Sequence, residues 1–215
     1  MASQVKLKHN STIEDIVPRK RSKSKFDLFF SHHEKISVSI NAILKFKIQK
    51  GDKLSSATID SLVAFEKSQT IKDSILIYLS YRPRSKNEIL NHFKNKGFPD
   101  NLILCAIDKL EKKGYVDDEA FAKMYIKNLV EKKMLGENSV RSKLYKHSIK
   151  PDILDRIIEE VYKKNPPVAS IKKIIKKKSF VVSDEIIGNQ KIIYHLKRKG
   201  FNWEDIGAAL SQSDI

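Results

Sequence analysis

ILNHFKNKGFPDNLILCAIDKL, residues Ile89–Leu110, occurs three times in this chain in altered form. Gly97, Ser148 and Gly200 are its equivalent points, spaced 51 and 52 residues apart. Four positions before them stand Phe93, Leu144 and Leu196, and eight before them Ile89, Val140 and Ile192. One position after come Phe98, Ile149 and Phe201; six after, Ile103, Leu154 and Ile206; ten after, Ile107, Ile158 and Leu210. Repetition at such a period marks a tandem supersecondary unit. The apolar spacing puts one stripe on each of two successive helices. At the point between them the chain must turn through a left-handed conformation, which Gly97 and Gly200 adopt without a Cβ penalty. Pro151 suits the first position of a following helix, where its missing N–H costs nothing. Asn101, Asp152 and Glu204 occupy the same first turn, where polar or acidic side chains suit the free N–H groups.

Working outward, Tyr81-Arg82-Pro83-Arg84-Ser85 closes a preceding helix, Ile71 to Ser80. Ser85 with Glu88 three residues on reads as a capping box. Each unit therefore has three helices: Ile71–Ser80, Lys86–Lys96 and Asp100–Lys113; Asp118–Lys133, Glu137–His147 and Pro151–Lys163; Val168–Lys177, Gly188–Lys199 and Trp203–Ser211. Residues 179–187 form a longer loop. Before the repeats, Phe26, Leu28 and Phe30 alternate, as do Ile36, Val38 and Ile40 across a polar turn, which predicts a β-hairpin. Short helices follow at Asn41–Gln49 and Ser55–Lys67. The spacing thus predicts a mainly α protein, an elongated tandem array of three three-helix repeats with an N-terminal β-hairpin and short helices. Its parts are a basic flexible tail (1–25, densest at PRKRSKSK), the hairpin region (26–69), and repeats at 70–117, 118–165 and 166–215.

With 215 residues, Lys+Arg 42 against Asp+Glu 26, and a net charge of +16, the chain favours a polyanionic partner. Its one cysteine excludes an internal disulfide and fits a reducing cytoplasm. No apolar run reaches membrane-spanning length. Asp117-Asp118-Glu119 looks like a carboxylate cluster, but its place at a helix start assigns it to capping. His92 and His195 lack further ligands at metal-site spacing. Cys105 reads as a small buried residue. Trp203 suits either base stacking or local packing. With Gly 7 in the whole chain and no GxxxxGK pattern, no phosphate loop is present. Neither an enzyme nor a cofactor is expected.

RPRSKNEILNHFKNKGF, LEKKGYVDDEAFAKMYI and KIIYHLKRKGF resemble the signature segments of the RecX family, regulators of the bacterial RecA recombinase. Arg84-Ser85, Gly114 to Asp118, Phe121-Ala122, Gly136 and Lys199-Gly200-Phe201 carry the match from about Lys25 onward. The chain departs from the family at Ser148, where Gly is usual, and at Asn128, where Arg is expected. The resemblance implies a cytoplasmic, bacterial protein that lies in the groove of a RecA–DNA filament. There it would limit filament growth, strand exchange and repressor cleavage in DNA repair, recombination and the SOS response. A monomer is expected, with single- and double-stranded DNA as weaker, charge-driven partners. The alternative is a non-enzymatic helical DNA-binding protein using helix-turn-helix-like repeats. Either function would use the basic residues: Arg82, Arg84 and Lys86 at the first joint; Arg141, Lys143 and Lys146 on the second middle helix; Lys172, Lys173, Lys176, Lys177 and Lys178 in the densest run; and Lys197, Arg198 and Lys199 on the third middle helix.

Overall fold

A computed structural model describes residues 11–20, 22, 24–31, 34–177 and 186–211. The chain divides into two compact units, Met1–Ile77 and Tyr78–Ile215.

In the first unit, β1 (Ser11–Pro18), β2 (Lys25–Phe30), β3 (Lys35–Ser39) and β4 (Lys53–Leu54) form an antiparallel sheet in the order β3-β2-β1-β4. The expected hairpin is β2–β3, with Leu28 opposite Ile36 and Phe26 opposite Val38. A correction concerns the tail: Ser11–Pro18 is a strand, not flexible chain. Ile13 and Ile16 are three residues apart, so regular alternation would send them to opposite faces. A shift of register between Ile13 and Asp15 returns both to the core, and this irregularity hides the strand from a period-two search. Residues 1–10, 21 and 23 of the expected tail lie outside the described residues.

Helix α1 (Ile40–Phe46) starts at Ser39, whose hydroxyl accepts from Ala42 N, and ends at Lys47 in the left-handed conformation. The two helices expected over Ser55–Lys67 and Ile71–Ser80 are one, α2 (Ser56–Ser80). Lys67-Ser68-Gln69-Thr70 contains neither Gly nor Pro, and nothing in it stops a helix. The core of this unit packs Leu28, Phe30 and Val38 of the sheet against Ala42, Ile59 and Leu62 of the helices.

The remaining helices are α3 (Lys86–Asn95), α4 (Asp100–Glu111), α5 (Asp118–Lys127), α6 (Glu137–Tyr145), α7 (Pro151–Lys164), α8 (Pro167–Lys177), α9 (Ile186–Arg198) and α10 (Trp203–Ser211). With the end of α2 they make the three repeats. The expected 179–187 loop and Lys178 fall largely on residues outside those described, and α9 begins at Ile186. Of the repeat-defining apolar residues, all are buried except Phe98, Leu154 and Leu210, which are half-buried. Phe121, Leu129, Val140, Leu144 and Ile158 form the second repeat's core; Ile171, Ile175, Leu196, Phe201 and Ile206 form the third's.

The turns after α3 and α9 have one hydrogen-bond pattern. Gly97 N donates to Lys94 O and Phe98 N to Phe93 O, while Gly200 N donates to Lys197 O and Phe201 N to Leu196 O. These are Schellman closures, with φ of 83° at Gly97 and 85° at Gly200. Ser148 adopts the same left-handed geometry at φ 53° despite its Cβ. The helix expected over Asp118–Lys133 is α-helical only to Lys127; Asn128–Lys132 is a π-helical turn.

Candidate functional site

The polar chemistry of the second unit gathers where one repeat meets the next. Ser85, fully buried, precedes α3 and accepts from Glu88 N at 3.2 Å. The Glu88 carboxylate does not return to the Ser85 backbone as a capping box would. It pairs instead with the guanidiniums of Arg82 and Arg84. Burial works to raise the Glu88 carboxyl, but the hydrogen bonds and charges of the two arginines outweigh it and hold the group below its ordinary value. Arg84 lies 4.1 Å above the Tyr78 ring and is only 13% exposed. Tyr78 in turn stacks on His92 at 3.9 Å.

From the second repeat, His147 Nδ1 lies 2.9 Å from Ser85 Oγ, and Lys146 O accepts from Asn87 Nδ2 at 2.7 Å. The N-terminal end of α3 is thereby set on the C-terminal end of α6. Asp118 completes this joint by accepting from Lys86 N at 2.8 Å, so it caps a helix in the preceding repeat, while Asp117 accepts from Glu119 N and Ala120 N to cap its own. Burial raises the Asp118 carboxyl above its usual value. The His147 imidazole is 5% exposed, and burial lowers its pKa, leaving it neutral near pH 7. Its Nε2 is buried without a hydrogen-bond partner.

The next joint repeats the arrangement with backbone groups. Gly136 N donates to Lys199 O at 2.9 Å and Asn138 N to Gly200 O at 3.2 Å, which sets the N-terminal end of α6 on the C-terminal end of α9. The free N–H groups of one helix thus meet the free carbonyls of another. A Cβ on Gly136 would fall well inside contact distance of the Gly200 carbonyl, and one on Gly200 would meet Ser139. Lys199 Nζ donates to Lys133 O at 2.8 Å, closing the end of the π-helical turn. Tyr162, whose hydroxyl burial pushes to higher pKa, donates to Leu135 O at 2.7 Å beside it.

The basic residues singled out in the sequence therefore divide. Arg82 and Arg84 pair with Glu88, Lys86 with Glu111, and Arg141 with Glu137 and Asp155. Lys199 is engaged at the second joint, and Lys197 lies 4.2 Å from the Trp203 ring. Lys143 and Lys146 on or just after α6, Lys172, Lys173, Lys176 and Lys177 on α8, and Arg198 on α9 are exposed. On α8 these lysines lie opposite Ile171, Ile174 and Ile175, which are buried. Cys105 is exposed, not buried as expected, because the inward stripe of α4 is Ile103, Ala106, Ile107 and Leu110.

Sequence reasoning missed the joints. Their signal was present: Ser85 and Gly136 stand at one repeat position, and Asn87 and Asn138 stand two residues on. It also missed a cleft of about 550 Å³ at the first joint, lined by residues that include Arg82, Asn91, Tyr125, Asn128, Lys146 and His147. Among the described residues no group of His, Cys, Asp or Glu is placed to hold a metal ion, and no helix is long and apolar enough to cross a membrane.

This fold and these joints define a class: a tandem three-helix-repeat protein whose middle helices meet end to end. Residues 72–110 match the family model of the RecX first three-helix domain. Regulatory protein RecX of Bacillus licheniformis is 28% identical over 205 residues, 94% of this chain and 77% of that protein. The chain is thus similar to regulatory RecX proteins along most of its length. Regulatory protein RecX of Staphylococcus haemolyticus is 25% identical over 203 residues, 93% of this chain and 75% of its own. Two crystal structures share the fold at 20% identity. One, of regulatory protein RecX, has a TM-score of 0.78 and covers 94% of this chain and 100% of its own. The other, of RecX from Lactobacillus salivarius, has a TM-score of 0.61 and covers 69% of this chain and 97% of its own.

Proposed function

We propose that this protein binds the RecA–DNA filament in the bacterial cytoplasm and limits recombinase, ATPase and coprotease activity, acting as a monomer and without a catalytic centre. The observation that carries this reading is the likeness to regulatory RecX proteins along 94% of the chain. A net charge of +16 supports it, because a basic protein is drawn to bound DNA and to acidic protein alike. Tandem repeats, each joined to the next, suit a partner that is itself a repeating polymer. Contact would fall first to the exposed Lys143, Lys146, Lys172, Lys173, Lys176, Lys177 and Arg198, with Arg82, Arg84, Lys86, Arg141, Lys197 and Lys199, which are held in ion pairs, hydrogen bonds or ring contacts, contributing less.

The test compares binding to a RecA filament with binding to the same single- and double-stranded DNA at physiological salt, and follows DNA-dependent ATP hydrolysis. The expected result is tighter binding to the filament and suppressed hydrolysis. Charge reversal to Glu at Lys172, Lys173, Lys176 and Lys177 should weaken filament binding by about tenfold or more, with the melting temperature preserved. Equal affinity for naked DNA, with recombinase activity untouched, would overturn the regulator reading in favour of a plain DNA-binding protein.

A further inference from the structure

The geometry points to a nucleotide site in the cleft between the first and second repeats, one that accepts a single unstacked base of a single-stranded nucleic acid with its phosphate. The inference rests on the proposed action on a DNA-bearing filament and adds how the strand itself would be held. The cleft has about 550 Å³, a volume in the usual range for small-molecule sites. Its walls come from the segments that meet at the joint: Arg82 and Asn91 from the first repeat, Tyr125, Asn128, Lys146 and His147 from the second.

The electrostatics favour an anion. Arg82 and Arg84 share the one carboxylate of Glu88, so this triad keeps a net positive charge, and Lys146 adds another across the cleft. Glu88 remains ionised, and His147 remains neutral. The aromatic wall favours a planar ring. Tyr125 lies parallel to Phe121, with ring centres 5.6 Å apart and planes 13° apart, and both line the cleft. A base beside Tyr125 would extend that stack. Asn91 and Asn128 are exposed and carry amides, which offer both a donor and an acceptor to the edge of an unpaired base. His147, 5% exposed, forms part of the cleft wall, with Nδ1 against Ser85 Oγ and a buried Nε2 that has no partner. A buried imidazole nitrogen without a partner is costly in a closed core. Asn128 also opens the π-helical turn, a local departure from α geometry frequently found at functional sites. An acidic peptide would use the cations but would leave the stacked rings and paired amides without a role.

The test uses the full chain and measures binding of a labelled short oligothymidylate beside an oligomer of the same length built from abasic residues. Both carry the same phosphates, so charge alone predicts equal affinity. The expected result is about tenfold tighter binding of the oligothymidylate, lost in Asn128→Asp and in Lys146→Glu. Lys143→Glu, an equal charge change three residues before Lys146, should weaken both oligomers alike and leave their ratio intact. Thymidine monophosphate should shift the Tyr125 and His147 ring resonances, and ribose 5-phosphate should not. Equal affinity for the two oligomers, or an unchanged ratio in Asn128→Asp, would overturn the assignment. So would oligoglutamate shifting those rings where the nucleotide does not, a result that gives the cleft to acidic protein. Filament binding measured in parallel separates the two readings. If the filament is still bound more tightly than naked DNA while the oligomers bind equally, the cleft assignment falls and the regulator reading stands.

Discussion

Three residues at one repeat position, Gly97, Ser148 and Gly200, have the same backbone geometry and different reasons for it. All have positive φ, but a Cβ at Gly97 would meet nothing within 4 Å, whereas one at Gly200 would strike Ser139. Ser148 carries a Cβ in a region that disfavours it and is exposed. Ser148→Gly should therefore stabilise the protein by about 0.5–1 kcal/mol, the relief of left-handed strain less the added freedom of the unfolded chain; a lowered midpoint in urea would contradict this. Gly136 differs again, since its φ is −77° and any residue could adopt it. Gly136→Ala should still cost about 1–3 kcal/mol through the forced shift of the Gly200 backbone, measured by denaturant unfolding, with Gly97→Ala as the strain-only comparison. His147 gives a pH dependence. Its folded pKa lies below the ordinary 6.5 through burial, so on acidification the unfolded chain takes up a proton that the folded chain resists. Stability is then lost as pH falls below 6.5 and on through the folded value. His147→Asn should flatten the fall in melting temperature between about pH 7 and 5. A variant as acid-sensitive as the parent would show that His147 is not the group responsible.

At the scale of elements, helices with both a stripe and a stop signal were legible. α3, α4, α6, α7, α8 and α10 lie within a residue or two of their sequence-derived limits, because Gly, Pro or a capping Ser marks their ends. The misses have local causes. β1 lacks strict alternation because a register shift intervenes, and α2 runs unbroken where the sequence offered no breaker. The π-helical turn had no sequence signal at all; its consequences are tertiary. Just after it Met134 takes φ 49°, Leu135 O receives the Tyr162 hydroxyl, and Lys133 O receives Lys199 Nζ. Tyr162→Phe removes the hydroxyl and leaves a half-buried carbonyl without that donor, and it should cost about 1 kcal/mol. Thermal unfolding checks this; an unchanged melting temperature would mean that the carbonyl is served equally well by water.

At the scale of the molecule, the basic composition was plain in the sequence, but the division of its charges between partners inside the fold and solvent was not. An arginine beside a capping serine looks the same in one dimension whether it reaches DNA or Glu88. The joints make a physical difference to how the second unit should unfold. In most repeat arrays neighbours couple through apolar contacts along their length. Here α6 also relies on α9 for the acceptors of its first N–H groups, through Gly136 to Lys199 O and Asn138 to Gly200 O. Disturbing the third repeat should therefore open the start of the second repeat's middle helix while the core around Phe121, Leu129 and Val140 remains closed. Gly200→Val, strained at φ 85° and in conflict with Ser139, supplies the disturbance. Native-state hydrogen exchange should show the amides of Gly136 and Asn138 losing protection by at least about tenfold, since loss of one such joint removes on the order of 1–2 kcal/mol. The amides of Ile126 and Leu129 should change far less. If all four amides lose protection equally, the second and third repeats unfold as one block, and the joint is not a separable hinge of stability.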